Sequence, residues 1–252
     1  YFKSTFIMQR LWMIIEGFVI KKVAFTITTT ESKKRILMDR YHIQNVYVVR
    51  NTSPFYQVQK LYDLKKDFKI PKDKILIIYH GQIGKIRGVF DLVEAVDGLS
   101  DIYLLFMGMG NDIRELIEYV KKRGLDHQIF FKEAVKPEQV VEWISSADIG
   151  IQPFHKTENI YNEISIKLLE CIMAELMCIG VNFPEIERII VGEEVGYVYE
   201  SGNVLQLRDI LRRISSDKEQ ISRFKERSAQ IKHKYSWEKD EIVLLEKTGE
   251  YL

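Results

Sequence analysis

Little in this chain can crosslink it or interrupt it: of 252 residues only two are cysteine and five are proline. Cys171 and Cys178 fall in a run rich in Leu, Ile and Met, where they read as buried thiols rather than a disulfide or half a metal site. A reducing compartment is the natural expectation. Charge of one sign is not in excess: the formal net charge is +1, which argues against a dedicated nucleic-acid binder. Long apolar runs are missing too. The most apolar early stretch, Phe6 to Ile20, is broken by Gln9, Arg10 and Glu16, and is too short and too charged to span a bilayer. Asp-Xaa-Asp metal spacing, internal repeats and low-complexity segments do not occur. The chain begins at Tyr1 without a secretory pattern and opens on a helix with no strand before it, so a natural start further upstream is expected.

What is present is 46% apolar and 29% charged, the balance of an ordinary globular enzyme. Lys3 to Lys21 carry Phe6, Ile7, Leu11, Ile14, Ile15 and Phe18 at helical spacing. Val23 to Thr29 reads as a buried strand, and Thr30 as the N-cap of a helix through Tyr41. A short strand from Asn45 to Val49 then ends at the breaker Arg50-Asn51-Thr52-Ser53-Pro54. From Lys74 onward the alternation is regular. Strand-like runs at Lys74 to Tyr79, Ile102 to Met107, Gln128 to Lys132, Asp148 to Gln152, Leu176 to Val181 and Gly196 to Tyr199 alternate with helical segments. Such alternation predicts a parallel, doubly wound α/β sheet, and after Val204 the chain reads as helical to its end.

Ligands of such sheets bind beyond the carboxyl ends of the strands, so the chemistry is sought in the loops there. The first reads Y-H-G-Q-I-G-K-I-R-G. Gly81 permits close backbone approach, and Lys85 and Arg87 bring positive charge to a helix N-terminus, which suits a diphosphate; a solvated flexible turn is the plain alternative. Gly81, Gly84 and Gly88 do not have P-loop spacing. In M-G-M-G-N-D, Gly108 and Gly110 lack the third glycine of the dinucleotide fingerprint and read as a tight strand-to-helix turn. The third region, Asn159 to Ala174, passes from a polar loop into an apolar helix. Glu170 sits there between Leu169 and Cys171, where a carboxylate is costly without a partner. A ribose diol is one such partner, and Lys167, three residues earlier on the helix, is the other. His80 and His155 lie on loops at the ligand edge without an evident nucleophile, and Trp12, Trp143 and Trp237 read as packing residues.

In order along the chain, F-T-I-T-T-T-E, V-Y-V-V-R-N, Y-H-G-Q-I-G-K-I-R-G-V-F-D-L-V-E-A, L-L-F-M-G-M-G, A-D-I-G-I-Q-P, I-K-L-L-E-C-I-M-A, N-F-P-E-I and Y-S-W-E-K-D-E resemble the landmarks of the retaining GT-B glycosyltransferases, family 4 and its relatives. The resemblance runs from about Lys22 to Leu252. It implies a nucleotide-sugar donor domain over 74–232, a remnant of an acceptor-binding domain over 1–52, a linker over 53–73 and a helix over 233–252 that crosses back. It also implies sugar transfer from a nucleotide-diphosphate sugar to a glycan, lipid or small-molecule acceptor, with retention at the anomeric carbon and no metal or other cofactor. Gly81, Gln82, Lys85 and Arg87 would meet the donor diphosphate and Glu170 the ribose. Asn162, Glu163, Ile164, Ser165, Ile166 and Lys167 would lie along the sugar and phosphates, and Lys132 and Glu133 beside the base. Catalytic groups on the acceptor side are expected in the missing half.

Three positions depart from the family pattern. Gln82 stands where many members are basic, Asn162 where the first of two glutamates falls, and Glu133 where glycine is common. They leave two other readings open, a nucleotide-binding module without transfer and a sugar-nucleotide epimerase of the same fold. The resemblance further implies a cytoplasmic protein, at the inner face of a membrane in its full-length form. The apolar face from Phe6 to Phe18 predicts self-association of the chain as given.

Overall fold

The computed structural model describes residues 6–250. Lys3 to Thr5 of the expected first helix and the last two residues of the expected last one lie outside the described residues. The chain opens with α1 (Phe6–Val19), β1 (Thr26–Thr28), α2 (Glu31–Tyr41) and β2 (Val46–Val48). β1 and β2 pair in parallel, with Thr26 opposite Val46 and Thr28 opposite Val48. α2 starts where the sequence predicts. Thr30 is extended, its hydroxyl accepts the Lys33 N–H at 3.1 Å, and this satisfies one of the donors a helix start leaves free. α1 leans on α2 through Gly17, where a side chain would press on the Tyr41 ring, and through the Tyr41 hydroxyl, which donates to Glu16 at 2.5 Å.

Residues 49–63 form no regular element, and α3 (Leu64–Asp67), which the pattern analysis misses inside the linker, follows them. This segment is held by Glu142, whose buried carboxylate accepts the N–H groups of Gln59 at 3.0 Å and Leu61 at 2.6 Å. Burial alone would push that carboxyl up; the backbone donors outweigh it and hold it below its usual range.

The main sheet is built from β3 (Ile75–Gln82), α4 (Val89–Val96), β4 (Ile102–Met109), α5 (Ile113–Lys122), β5 (Ile129–Lys132), α6 (Val140–Ile144), β6 (Ile149–Gln152), α7 (Glu158–Tyr161), α8 (Ile166–Met173), β7 (Met177–Val181), α9 (Pro184–Ile190) and β8 (Gly196–Tyr199). Its strands are all parallel, in the order β5-β4-β3-β6-β7-β8. The reason lies in the strands themselves. Ile75 to His80 are buried without a break, as a strand covered by helices on both faces requires. The chain runs outward from β3 through β4 to β5, then returns to the other side of β3 with β6. That reversal between β3 and β6 opens the crevice in which doubly wound folds bind ligands.

α10 (Val204–Ser216), α11 (Glu219–Ile231) and α12 (Trp237–Gly249) close the chain. α12 packs on β2 and is tied to the segment after it by a charge pair. Arg50 Nε lies 3.1 and 3.0 Å from the two oxygens of Asp240, a carboxylate only 3% exposed. The Thr52 hydroxyl donates to the Tyr235 carbonyl at 2.5 Å and the Trp237 N–H to Ser53 at 2.9 Å.

Several expectations are corrected. His80 is not a loop residue: it is buried in β3. Gly108 belongs to β4 rather than to a turn, because β4 runs two residues past its apolar run to stay paired with Gly81 and Gln82. Trp12 does not pack; it is 62% exposed on α1, among Leu11, Ile14 and Phe18, all exposed. Trp143 stacks on Tyr62 with ring centroids 3.7 Å apart. Cys171 and Cys178 are free and buried, and burial pushes both thiols up. Among the described residues no helix is long and apolar enough to cross a membrane.

Candidate functional site

The β3 end of the crevice is set by backbone. A Cβ on Gly108 would lie 1.9 Å from the Gly81 carbonyl oxygen, and one on Gly110 would lie 1.8 Å from that of Ile83. The Ile83 N–H donates to Met109 at 2.8 Å, so the loop after β3 rides directly on the end of β4. Gly81 itself has φ +102, a conformation that glycine adopts at no steric cost. The loop then makes a 3₁₀ turn from Lys85 to Arg87 and meets α4 at Gly88, also left-handed, where a Cβ would fall 1.6 Å from the Pro153 carbonyl. The passage of Pro153 over Gly88 brings the segment after β6 onto the segment after β3.

Arg87 lies in this junction. Its Nη2 donates to the Gln82 side chain at 3.2 Å and its guanidinium sits 5.4 Å from the centre of the Phe154 ring. Its Nε is buried with no hydrogen-bond partner. A buried, unsatisfied donor on a cation is costly to maintain, and an anion bound in the crevice would satisfy it. Lys85 is not joined to Arg87. Its ammonium pairs with Glu115 at 2.8 Å in solvent, and its N–H donates to Asp112.

Glu170 enters from α8 on the other side of the switch. Its Oε2 lies 2.8 Å from Nε2 of His80, so the hydrogen-bond partner it has within the chain is His80 rather than Lys167. The half-buried carboxylate keeps its second oxygen for another donor. α8 begins at Ser165, which is extended and whose hydroxyl donates to Gln152 at 3.2 Å. Ile164 is half-buried and Ile166 exposed, so this helix start faces the crevice without a side-chain cap. Lys167, the second residue of α8, donates to the Tyr79 hydroxyl at 3.2 Å.

Asn162 and Glu163 face the N-terminal unit instead. The Asn162 carbonyl accepts the Thr30 hydroxyl at 3.0 Å, and Glu163 pairs with Lys33. Beside them Glu185 of α9 accepts both the N–H and the hydroxyl of Ser32, at 2.7 and 2.6 Å. These contacts close one wall of the crevice with the start of α2. Lys132 ends β5 and Glu133 follows it. The register carries His80 across to Met107 and Met107 across to Lys132, which puts Lys132 level with His80 two strands away, roughly 10 Å. Lys132 lies 3.9 Å over the Trp143 ring and Glu133 is exposed. His155 pairs with Asp91 at 3.3 Å.

The sequence pattern puts His80 at the ligand edge, though on a loop, and does not point to Tyr79, Phe154, Ser32 or Glu185 as members of this region. The polar side chain of His80 at the end of an otherwise apolar strand was the available signal. A groove of about 770 Å³ runs along β8 and α11, between Gly196, Tyr197 and Phe224. None of the residues above lines it, and it lies where β8 begins, away from the carboxyl ends of the strands where such sheets bind ligands.

A doubly wound parallel sheet of this kind is the architecture of GT-B glycosyltransferase domains, and comparison with known proteins agrees on that fold. The pattern of the family described as glycosyl transferases group 1 matches residues 63–231. The chain belongs to this family. N-acetyl-alpha-D-glucosaminyl L-malate synthase of Bacillus anthracis is 23% identical over 180 residues, covering 70% of this chain and 45% of its own length. Among solved structures, HepE of Anabaena in complex with UDP superposes with a TM-score of 0.80 at 9% identity, over 94% of this chain and 67% of that one. The C-terminal domain of the group 1 glycosyl transferase LpcC from Francisella tularensis superposes with a TM-score of 0.58 at 25% identity, over 73% of this chain and 95% of that one. The chain thus spans under half of the curated relative from Bacillus anthracis.

Proposed function

We propose that this chain supplies the donor side of a glycosyltransferase that moves a sugar from a nucleoside-diphosphate sugar to a glycan, lipid or small-molecule acceptor, with retention at the anomeric carbon. One observation carries the reading: Arg87, with a buried N–H that lacks a partner, and Glu170, with a free carboxylate oxygen, stand on opposite sides of the β3/β6 switch. A nucleoside diphosphate satisfies both, its phosphates on Arg87 and its ribose diol on Glu170. Lys132 and Glu133 then border the base. Arg87 and the uncapped N–H groups at the start of α8 stabilise the charge that grows on the departing diphosphate, which is where such a site contributes to rate. The reading requires no metal.

In this proposal residues 1–52 belong to the acceptor-side domain, 53–73 to the hinge and 233–252 to a helix returning to that domain. The buried free thiols fit a cytoplasmic setting, and the exposed apolar face of α1 fits attachment at the inner face of a membrane or against another copy. Gln82, in place of a basic residue, favours a second reading, a module that binds the nucleotide without transferring sugar.

The test is a thermal-shift panel of UDP, GDP, ADP and their sugars, followed by transfer and donor-hydrolysis assays with the full-length protein. One nucleotide class raises Tm in a concentration-dependent way, and Arg87→Ala removes that rise. No stabilisation by any of them at millimolar concentration overturns the donor-site reading. Tight binding with neither transfer nor hydrolysis favours the binding module.

A further inference from the structure

We infer that Lys167 is the second cation on the donor diphosphate, standing in from α8 for the basic side chain that Gln82 does not provide. The inference rests on the donor-site reading above and gives Lys167, one of six residues expected along the sugar and phosphates, a specific partner and role. A Cβ on Gly81 would come within 2.5 Å of Lys167 Cε and 3.0 Å of its Nζ, so the amine lies directly over the glycine that precedes Gln82. Arg87 approaches the same place from the other element. The two cations share one ring: the guanidinium is 5.4 Å and the amine 5.7 Å from the centre of Phe154. The amine's hydrogen bond is to the Tyr79 hydroxyl at 3.2 Å, and that hydroxyl in turn donates to the Gln82 carbonyl. No carboxylate forms an ion pair with Lys167 or Arg87 among the described residues, and Glu170 is already engaged by His80. Two cations therefore flank the glycine with no anion between them.

The electrostatics follow from this geometry. The groups facing the amine are Arg87 from the 3₁₀ turn, Tyr79 from β3, and Glu170 and Cys171 from its own helix. Burial and, after it, the Arg87 charge lower the amine to about 8, with Glu170 and Cys171 opposing. A diphosphate between Arg87 and Lys167 reverses the balance, because a nearby anion favours the ammonium. Near pH 8 a fraction of the Lys167 side chains is therefore neutral before binding, so diphosphate binding draws protons from solution.

The experiment is titration calorimetry at pH 8 in two buffers of different ionisation enthalpy, with UDP, GDP and ADP and with their nucleosides, on the wild-type chain, Lys167→Met and Lys167→Arg. Methionine keeps the packing against Tyr79 and Phe154 and removes the charge. Lys167→Met weakens the bound diphosphate by roughly 10- to 100-fold, leaves nucleoside affinity within about twofold, and abolishes the buffer-dependent heat. Lys167→Arg retains most of the affinity without the proton uptake. Equal diphosphate affinity in Lys167→Met, or proton uptake that persists in it, overturns the inference while the donor site stands. A wild-type chain that binds nucleosides but no diphosphate overturns it too, and one that binds neither removes the donor-site reading along with it.

Discussion

Nε2 of His80, on β3, lies 2.8 Å from Oε2 of Glu170, on α8, joining two residues 90 positions apart. Each comes from a different side of the sheet's reversal, and the imidazole is buried, so the carboxylate is held in one orientation before any ligand arrives. The other ring nitrogen, Nδ1, is buried and has no partner among the described residues, where Glu170 is the ring's single polar anchor.

His80 is therefore a positioning residue, and a double-mutant cycle reads it. His80→Leu weakens nucleoside binding by roughly tenfold, and Glu170→Ala by roughly 10- to 100-fold. Because both act through one carboxylate, the double variant is no worse than Glu170→Ala, a coupling of about 1 to 2 kcal/mol. Additive losses in calorimetry with UDP and uridine would refute the positioning role.

The contact between α9 and the start of α2 weakens in acid. Burial pushes the Glu185 carboxyl up, but the Ser32 hydroxyl, Arg188 and the Ser32 N–H outweigh it and hold it below its usual value. A carboxyl held low stabilises the folded contact above the unfolded value of about 4.5, and that contribution disappears as pH falls through the lower folded value. Hydrogen exchange at the Ser32 and Lys33 amides is expected to accelerate several-fold between pH 6 and pH 4 relative to amides of β3. Glu185→Gln brings the faster exchange to pH 6 and flattens the pH response; unchanged exchange in that variant sinks the prediction.

Gly88 tolerates no side chain. Its φ is +67 and an added Cβ would overlap the Pro153 carbonyl at 1.6 Å, so Gly88→Ala forces the two loops of the crevice apart. A loss of about 2 to 4 kcal/mol in urea unfolding is expected, from a strained backbone combined with a steric clash. By contrast, Gly98→Ala, with nothing near the new Cβ but a φ of +80, shows only the strain and costs about 1 kcal/mol. Equal losses at the two glycines contradict the steric account.

The exposed side of α1 is expected to drive association of this chain. Leu11, Trp12, Ile14 and Phe18 are half or more exposed, with Ile14 at 70%. Apolar surface of this kind is buried when copies meet. Light scattering of the wild-type chain is expected to show dimers or larger species at tens of micromolar. Ile14→Glu with Phe18→Glu shifts it to monomer without lowering Tm, and a wild-type chain that is already monodisperse as a monomer overturns the expectation.

The parallel sheet was legible because its strands announce themselves locally. Lys74 to Tyr79 is an unbroken apolar run, and Thr30 caps the helix its position predicts. Arg87 and Glu170 were legible from their surroundings, a glycine-bearing loop for one and an apolar helix for the other. The partners were not. Nothing near Glu170 points to a histidine in a strand 90 residues away, and helical spacing draws attention to Lys167 instead. Lys167 reads from its sequence as a partner of Glu170 and as one of a run along the sugar and phosphates; its position over Gly81 shows only once the sheet brings the two together. The order of strands was equally hidden, since local pattern gives the number of strands and not their neighbours. Gly108 was misread because its reason for being glycine is an oxygen on β3 and not a turn of its own chain.

The path of the loop after β3 is written in main-chain atoms: Gly108 and Gly110 leave room for the carbonyls of Gly81 and Ile83, and Ile83 is bonded back to Met109. The seat they form exists before a ligand does, and its shape does not depend on which side chain stands at position 82. The identity of the charged group can then be separated from the geometry of the cradle, and a positive charge lost from the loop is replaceable from any neighbouring element whose side chain reaches the same spot. The charge at such a cradle can change element without rebuilding the pocket, while a single methyl group added to either glycine closes it.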